Sequence, residues 1–395
     1  MALRHRPKLE RAIILVADGV GCGQARDAAA YGDAGANTLA NVARAVGGLQ
    51  LPHLQTLGLG HVTKVLGVPP VADAQGAYGS CEETSAGKDT ITGHWELAGL
   101  VTAEPLPTFP QGFPPDLLDS LKAASGRGVL GNKAASGTEI IEELGVAHLA
   151  SGDLIVYTSA DSVLQIAAHE AVVPVEELYR ICEAARGLAD ARGIGRVIAR
   201  PFVGRPGAFR RTYSRRDWPL LPPAASLLDR VCAAGLPVVG VGKIHDIFAG
   251  RGLTASIHTE GNPDGMNHTL AALSTTDRGL VFVNLVDFDM LYGHRNDVSG
   301  FRNALEDFDR WMPRFLAALR PGDLAFITAD HGNDPTRPGT DHTRERVPLL
   351  AFGPGWRTGP LGVRESFADV GQTIAEGFGL DPLANGRSFL DMMVG

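Results

Sequence analysis

Apolar residues along this chain fall into two kinds of run. Short unbroken ones lie at 12–17 (AIILVA), 154–158, 196–199, 237–241, 280–286, 324–328 and 348–352. They are too short for helices, and continuous apolar runs of this length predict strands buried on both faces, as in a parallel sheet. A second set has helical spacing: 38–46 behind Asn37 as N-cap, 115–124, 140–144, 175–191, 224–234, 301–319 despite Pro313, and 367–378. Strands alternating with helices predict an α/β fold.

The alternation is broken by two proline-rich crossings, EPLPTFP at 104–110 and WPLLPP at 218–223. They predict an inserted α+β cap domain over 104–220, with 1–103 and 221–395 forming a discontinuous catalytic core. Within the insert, 201–219 has the character of a loop and carries Arg205, Arg210, Arg211, Arg215 and Arg216. No internal repeat and no low-complexity tract is present.

Composition narrows the class. At 395 residues the chain exceeds what one hydrophobic core supports, and 44% apolar with 20% charged residues is ordinary for a globular protein. A net charge of −8 argues against a phosphate-backbone binder, so no nucleic-acid partner is expected. Cys22, Cys81, Cys182 and Cys232 are far apart, which indicates neither a disulfide framework nor a thiolate zinc site. The basic tail 1–11 before an apolar run has the look of a signal peptide, but Asp18 interrupts the run and no cleavage pattern follows. No apolar stretch reaches the roughly 20 residues of a membrane span, so a soluble cytoplasmic protein without membrane association is expected.

Chemistry collects where strands end. Three apolar runs are followed by Asp18, Asp289 and Asp330, and the last two of these by His294, His331 and His342. Parallel strands deliver their C-terminal ends to one edge, so these carboxylates converge although they are remote in sequence. Mixed oxygen and nitrogen donors suit divalent cations, and these residues are enough for two sites with room for substrate oxygen. Taken singly, each has a plainer role, as a turn former or a hydrogen-bonded histidine. The segment GKDTITGHWE at 87–96 places hydroxyls beside a lysine at a helix start, a setting for a nucleophile, with Thr90 and Thr92 both candidates. Asp161 closes a further strand-like run and is either an N-cap or a substrate contact. The arginines of 201–219 form a solvated face or a phosphate site.

The segments GKDTITGHWE, YTSADS at 157–162, VDFDMLYGHR at 286–295 and TADHGNDPTRPGTDHTRE at 328–345 strongly resemble the phosphopentomutases of the alkaline phosphatase superfamily, in order and spacing over nearly the whole chain. The resemblance implies a doubly wound, mostly parallel core with an inserted cap, and interconversion of ribose or deoxyribose 1-phosphate with the 5-phosphate. It implies two Mn²⁺ ions and an activating bisphosphate such as glucose 1,6-bisphosphate. By the same resemblance Thr90 is the nucleophile. Asp18, Asp330 and His331 hold one ion together with Thr90, and Asp289, His294 and His342 hold the other. Ser159, Asp161, Arg196, Arg211 and Lys243 resemble substrate contacts. Other phosphomutases or phosphomonoesterases of the superfamily, and a non-catalytic sugar-phosphate binder, are the alternatives. The oligomeric state stays open, a monomer among the options.

Overall fold

The computed structural model describes residues 8–159 and 161–394. The chain divides into two compact units, one of the residues up to Pro105 and from Pro222 onward, the other of Leu106–Leu221.

The first unit is built on an eight-stranded sheet in the order Ala255–Ile257, Val238–Val241, Gly279–Leu285, Arg11–Ala17, Asp323–Thr328, Val347–Phe352, Ala77–Cys81, Gly359–Arg364. Neighbouring strands pair parallel except Val347–Phe352, which runs antiparallel to both of its neighbours. The three central strands, Gly279–Leu285, Arg11–Ala17 and Asp323–Thr328, are buried at every position, as their continuous apolar sequences require. Helices Asn262–Thr275 and Leu227–Ala233 both pack on the strands Val238–Val241 and Gly279–Leu285. Each belongs to a different helical layer, with Val298–Ala317 and Thr38–Ala45 joining the first and Ala368–Gly377 and Thr90–Leu97 the second. The core is therefore a doubly wound, mostly parallel α/β sheet.

In the second unit the sheet order is Val129–Ala134, Leu154–Thr158, Val163–His169, Arg196–Val203, Arg210–Arg211, with Arg216–Pro219 also pairing with Arg196–Val203. Alternate strand residues face opposite ways. Leu154, Val156, Leu164 and Ile166 meet Leu117, Leu121, Leu178 and Ala185 on one side, while Ile155, Tyr157 and Ala167 meet Ile140 and Ile141 on the other.

Several elements differ from the sequence expectation. The segment 201–219 is not a loop: the strand Arg196–Val203 continues through Pro201, and two short strands return against it. The amphipathic 140–144 is the centre of a longer helix, Gly137–Ser151. The run toward Asp161 ends as a strand at Thr158, and Ala160 lies outside the described residues. Of the tail expected at 1–11, residues 1–7 lie outside the described part, but Arg11 is the first residue of a central strand and is fully buried.

Arg11 stands in register with Asp323 of the adjacent strand. Its Nε donates to Asp323 Oδ1 at 3.0 Å and its Nη2 to Oδ2 at 2.5 Å, while Nη1 donates to the carbonyls of Leu273 and Thr276. A charge at 0% exposure is tolerable because all three guanidinium nitrogens have acceptors and the pairing with Asp323 is bidentate. Arg11→Met should therefore strand a buried carboxylate and destabilise the core by about 3–5 kcal/mol, read as a lowered thermal midpoint. The double replacement Arg11→Met with Asp323→Leu should cost less than either single change, and equal additive losses would contradict this account.

Candidate metal centre and nucleophile

Asp18, Asp330 and Asp289 follow the three adjacent central strands, so the parallel register alone carries their carboxylates to one edge. All three are buried, at 0%, 0% and 3% exposure. Gly19 makes the close approach possible. Its φ of +76° suits glycine, and an added Cβ would sit 3.0 Å from the Asn333 Cβ. Its N–H donates to Asp330 Oδ1 at 3.1 Å, and its carbonyl accepts from the Asn333 N–H at 2.7 Å.

The ligand-type atoms form two overlapping groups, Asp18 with Asp330 and His331, and Asp289 with His331 and His342, each within 4.8 Å of one another. His294 adjoins the second group, with Nε2 3.2 Å from Asp289 Oδ2 and 3.2 Å from His342 Nε2. His331 thus lies between the groups, where the sequence resemblance assigned it to one alone. Its ring stacks on that of His342 with centroids 3.8 Å apart.

Backbone carbonyls settle the tautomers. Nδ1 of His342 contacts the Lys88 carbonyl at 2.8 Å, that of His294 the Thr340 carbonyl at 2.6 Å, and that of His331 the Gly332 carbonyl at 3.1 Å. A carbonyl only accepts, so each Nδ1 carries a hydrogen and each ring turns its Nε2 into the cluster, the orientation a metal ligand needs.

Two further observations fit a cation. Asp18 Oδ1 is buried without a hydrogen-bond partner among the described residues, and the equally buried Asp330 Oδ2 has the nitrogens of His94 and His331 at 3.1 and 3.3 Å. The Nε2 atoms of His294 and His342 lie 3.2 Å apart, each 3.2 Å from an Asp289 carboxylate oxygen, a gathering of donor atoms that suits a cation. The electrostatics agree. Burial, together with the charges of Asp330 and Asp289, pushes the Asp18 carboxyl up to about 7, with Lys243 acting in the opposite sense. Burial pulls His331 down to about 4, which keeps it neutral and able to ligate.

Thr90 is the first residue of the helix Thr90–Leu97, whose N-cap Asp89 accepts from the N–H groups of Ile91 and Thr92. The cap fixes the turn, and Thr90 Oγ1 comes 3.2 Å from His331 Nε2. Thr92 Oγ1 is instead held by Asp89 at 2.9 Å. Gly93 lets this helix settle on the strand end, since a Cβ there would collide with the Asp330 carbonyl.

Residues that the sequence left unassigned complete the surroundings. Asn284 Nδ2 donates to Asp18 Oδ2 at 2.8 Å and lies 3.2 Å from His94 Nε2. His94 Nδ1 lies 2.8 Å from the Thr90 carbonyl and 3.1 Å from Asp330 Oδ2. Asn333 Nδ2 donates to Asp289 Oδ1 at 2.7 Å. A signal existed for Asn284, a polar residue inside the apolar run GLVFVNL, because a buried amide requires a partner.

Of the expected substrate contacts, Lys243 belongs to the first unit. Ser159, Asp161, Arg196 and Arg211 belong to the second. There Arg196 pairs with Asp161 at 3.6 Å and with Asp217 at 3.9 Å, while Arg211 is exposed in a short edge strand. No helix among the described residues is long and apolar enough to cross a membrane.

Residues 10–382 match the model of the Metalloenzyme superfamily. The phosphopentomutase of Anaeromyxobacter sp. (strain Fw109-5) is 58% identical over 381 residues, 96% of this chain and 98% of that one. The phosphopentomutase of Desulfitobacterium hafniense (strain DSM 10664 / DCB-2) is 55% identical over 392 residues, 98% of this chain and 100% of that one. Among solved structures, Leishmania mexicana phosphoglycerate mutase is similar with a TM-score of 0.49 at 12% identity, covering 98% of each chain. With relatives this similar over nearly its full length, the chain belongs to the phosphopentomutase family of the Metalloenzyme superfamily.

Proposed function

We propose that the protein interconverts a pentose 1-phosphate and the corresponding 5-phosphate through a phosphorylated Thr90. The observation that carries this is the Thr90 hydroxyl, half-buried and 3.2 Å from His331 Nε2, beside a carboxylate and imidazole cluster in which Asp18 Oδ1 has no hydrogen-bond partner among the described residues. A free hydroxyl is a weak nucleophile and needs such a setting.

Asp18, Asp330 and His331 with the Thr90 oxygen would hold one divalent cation, and Asp289, His294 and His342 the other. Mixed carboxylate and imidazole donors are compatible with Mn²⁺. When bound, the cations neutralise the charge of the transferring phosphoryl group and lower the pKa of the Thr90 hydroxyl.

In the forward half-reaction, the free hydroxyl of a bound pentose phosphate attacks the phosphorus carried by Thr90. The new sugar O–P bond forms as the Thr90 O–P bond breaks, and the proton lost by the sugar hydroxyl is balanced by one gained at Thr90 Oγ1. The product is a pentose 1,5-bisphosphate with Thr90 free. After the sugar turns over, Thr90 attacks the other phosphate and regains its phosphoryl group. A bisphosphate such as glucose 1,6-bisphosphate would load Thr90 at the start. Lys243 carries the charge to hold a substrate phosphate, and the guanidinium groups of Arg196 and Arg211 suit the phosphate that is not transferred. Ser159 and Asp161 offer hydrogen-bonding groups for the sugar. The reaction also requires that water be kept from phosphorylated Thr90, since hydrolysis would turn transfer into phosphatase action.

Thr90→Ala should lower conversion of ribose 1-phosphate to ribose 5-phosphate by about a thousandfold or more, while metal binding is only partly retained, since one cation loses the Thr90 oxygen and keeps its three other ligands. Label from a ³²P-bisphosphate should appear on the native chain and not on the variant, and mutase turnover by the variant would exclude Thr90 as the nucleophile. Chelation should abolish activity, with recovery on adding Mn²⁺. Asp289→Asn should lower the metal stoichiometry measured by elemental analysis, and unchanged stoichiometry would remove Asp289 from the ligand set.

A further inference from the structure

Two cationic side chains, the partly buried Lys88 and the buried Arg344, stand between the loop that leads to Thr90 and the loop that carries His342, and the chemistry proposed above uses neither. Lys88 Nζ lies 3.1 Å from Asp33 Oδ2 and 3.2 Å from Asp341 Oδ2, with its side chain 19% exposed. The carbonyl of the same lysine takes the His342 Nδ1 hydrogen at 2.8 Å. Lys88 therefore grips the His342 loop at both ends, through its ammonium at Asp341 and through its backbone at the neighbouring residue.

Arg344 makes a second set of ties from the same loop. Its Nε and Nη2 donate to the two carboxylate oxygens of Asp27 at 3.0 and 3.1 Å, and Nη2 also reaches the Glu83 carbonyl at 2.9 Å. Nη1 donates to the Glu83 carboxylate and to the Gly87 carbonyl. The guanidinium lies over the Tyr31 ring at 5.0 Å, and the Tyr31 hydroxyl accepts from the Gly87 N–H. The Arg344 backbone N–H donates to Asp33 Oδ2, the oxygen that Lys88 also contacts. Glu83, Gly87 and Lys88, which lead up to Thr90, are thus pinned to Asp341, His342 and Arg344.

Ion pairs such as these, from buried to half-exposed, add little net stability, but their hydrogen bonds are directional and fix the separation of the groups they join. Partners that orient a ligating histidine through its second nitrogen change metal affinity about 10–100-fold when removed. Here that partner is a backbone carbonyl, which cannot be mutated directly. Its place is set by the side chain of the same residue.

We propose that Lys88, braced by Arg344, is a positioning residue: by tying Asp33 to Asp341 it holds its own carbonyl against His342 Nδ1. The place of Thr90, two residues further on, and the direction of the His342 lone pair are then one geometric quantity. The inference rests on the metal assignment given under the proposed function.

The test uses the full chain, stripped of metal and titrated calorimetrically with Mn²⁺ alone, beside assays of ribose 1-phosphate turnover and the thermal midpoint of the metal-free protein. Lys88→Met should weaken one of two Mn²⁺ sites by about tenfold or more. Its kcat should fall about tenfold with KM within about twofold, since the substrate is still bound and the reacting groups are misplaced. Lys88→Arg should restore most of both quantities. Asp341→Asn, at a residue whose side chain is 62% exposed and whose change spares the core, should reproduce the Lys88→Met pattern in milder form. Native Mn²⁺ affinities in Lys88→Met, or an activity loss that follows only a lowered thermal midpoint, would overturn the positioning role while leaving the metal assignment intact. Failure of the unaltered protein to take up two Mn²⁺ would overturn both.

Discussion

Everything in the catalytic unit answers to one electrostatic constraint, the meeting of three buried carboxylates with three imidazole lone pairs in a space of a few ångströms. Such a cluster is unfavourable on its own, as the raised pKa of Asp18 registers. It exists because backbone geometry imposes it. Three parallel strands lock their C-terminal ends side by side, Gly19 makes room for the Asn333 Cβ, and carbonyls dictate which nitrogen of each ring turns toward the carboxylates. The sheet supplies the rigidity, and a bound cation would supply the compensation.

The central strands were legible because a strand buried on both faces has to be apolar throughout, and that leaves an unbroken trace in the sequence. The strand Ala77–Cys81 left no such trace, since AYGSC is short, contains glycine and gains its stability from two neighbours remote in sequence. Arg11 was invisible for a related reason. A basic residue near the start of a chain has the look of a tail until the register shows Asp323 beside it. The segment 201–219 misled through its arginines and prolines, although Pro201 lies within the strand Arg196–Val203 and Arg210, Arg211, Arg216 and Pro219 lie in two short strands that pair with it.

For the site, residue types and their strand-end positions were enough to nominate the aspartates and histidines that the structure brings together. What could not be read was their partition. His331 sits within reach of both groups because its ring stacks on His342, a contact between side chains that no spacing encodes. Asn284, His94 and Asn333 stayed hidden because each acts through another residue, and amides inside an apolar strand or a turn have many ordinary uses. The choice between Thr90 and Thr92 came from resemblance. Its physical basis is visible only once Asp89 is seen to hold the Thr92 hydroxyl and leave that of Thr90 facing His331.

The one antiparallel strand, Val347–Phe352, has a consequence for how such a protein can vary. In a wholly parallel sheet, the chain leaving Asp323–Thr328 at the catalytic edge would have to cross to the opposite edge before re-entering. Because the next strand is reversed, the segment bearing Asp330, His331 and His342 departs and returns at the same edge, in adjacent strands. It is a cassette with both splice points in the framework. Its length and content can drift, and with them the chemistry, while the strand order on either side is left untouched.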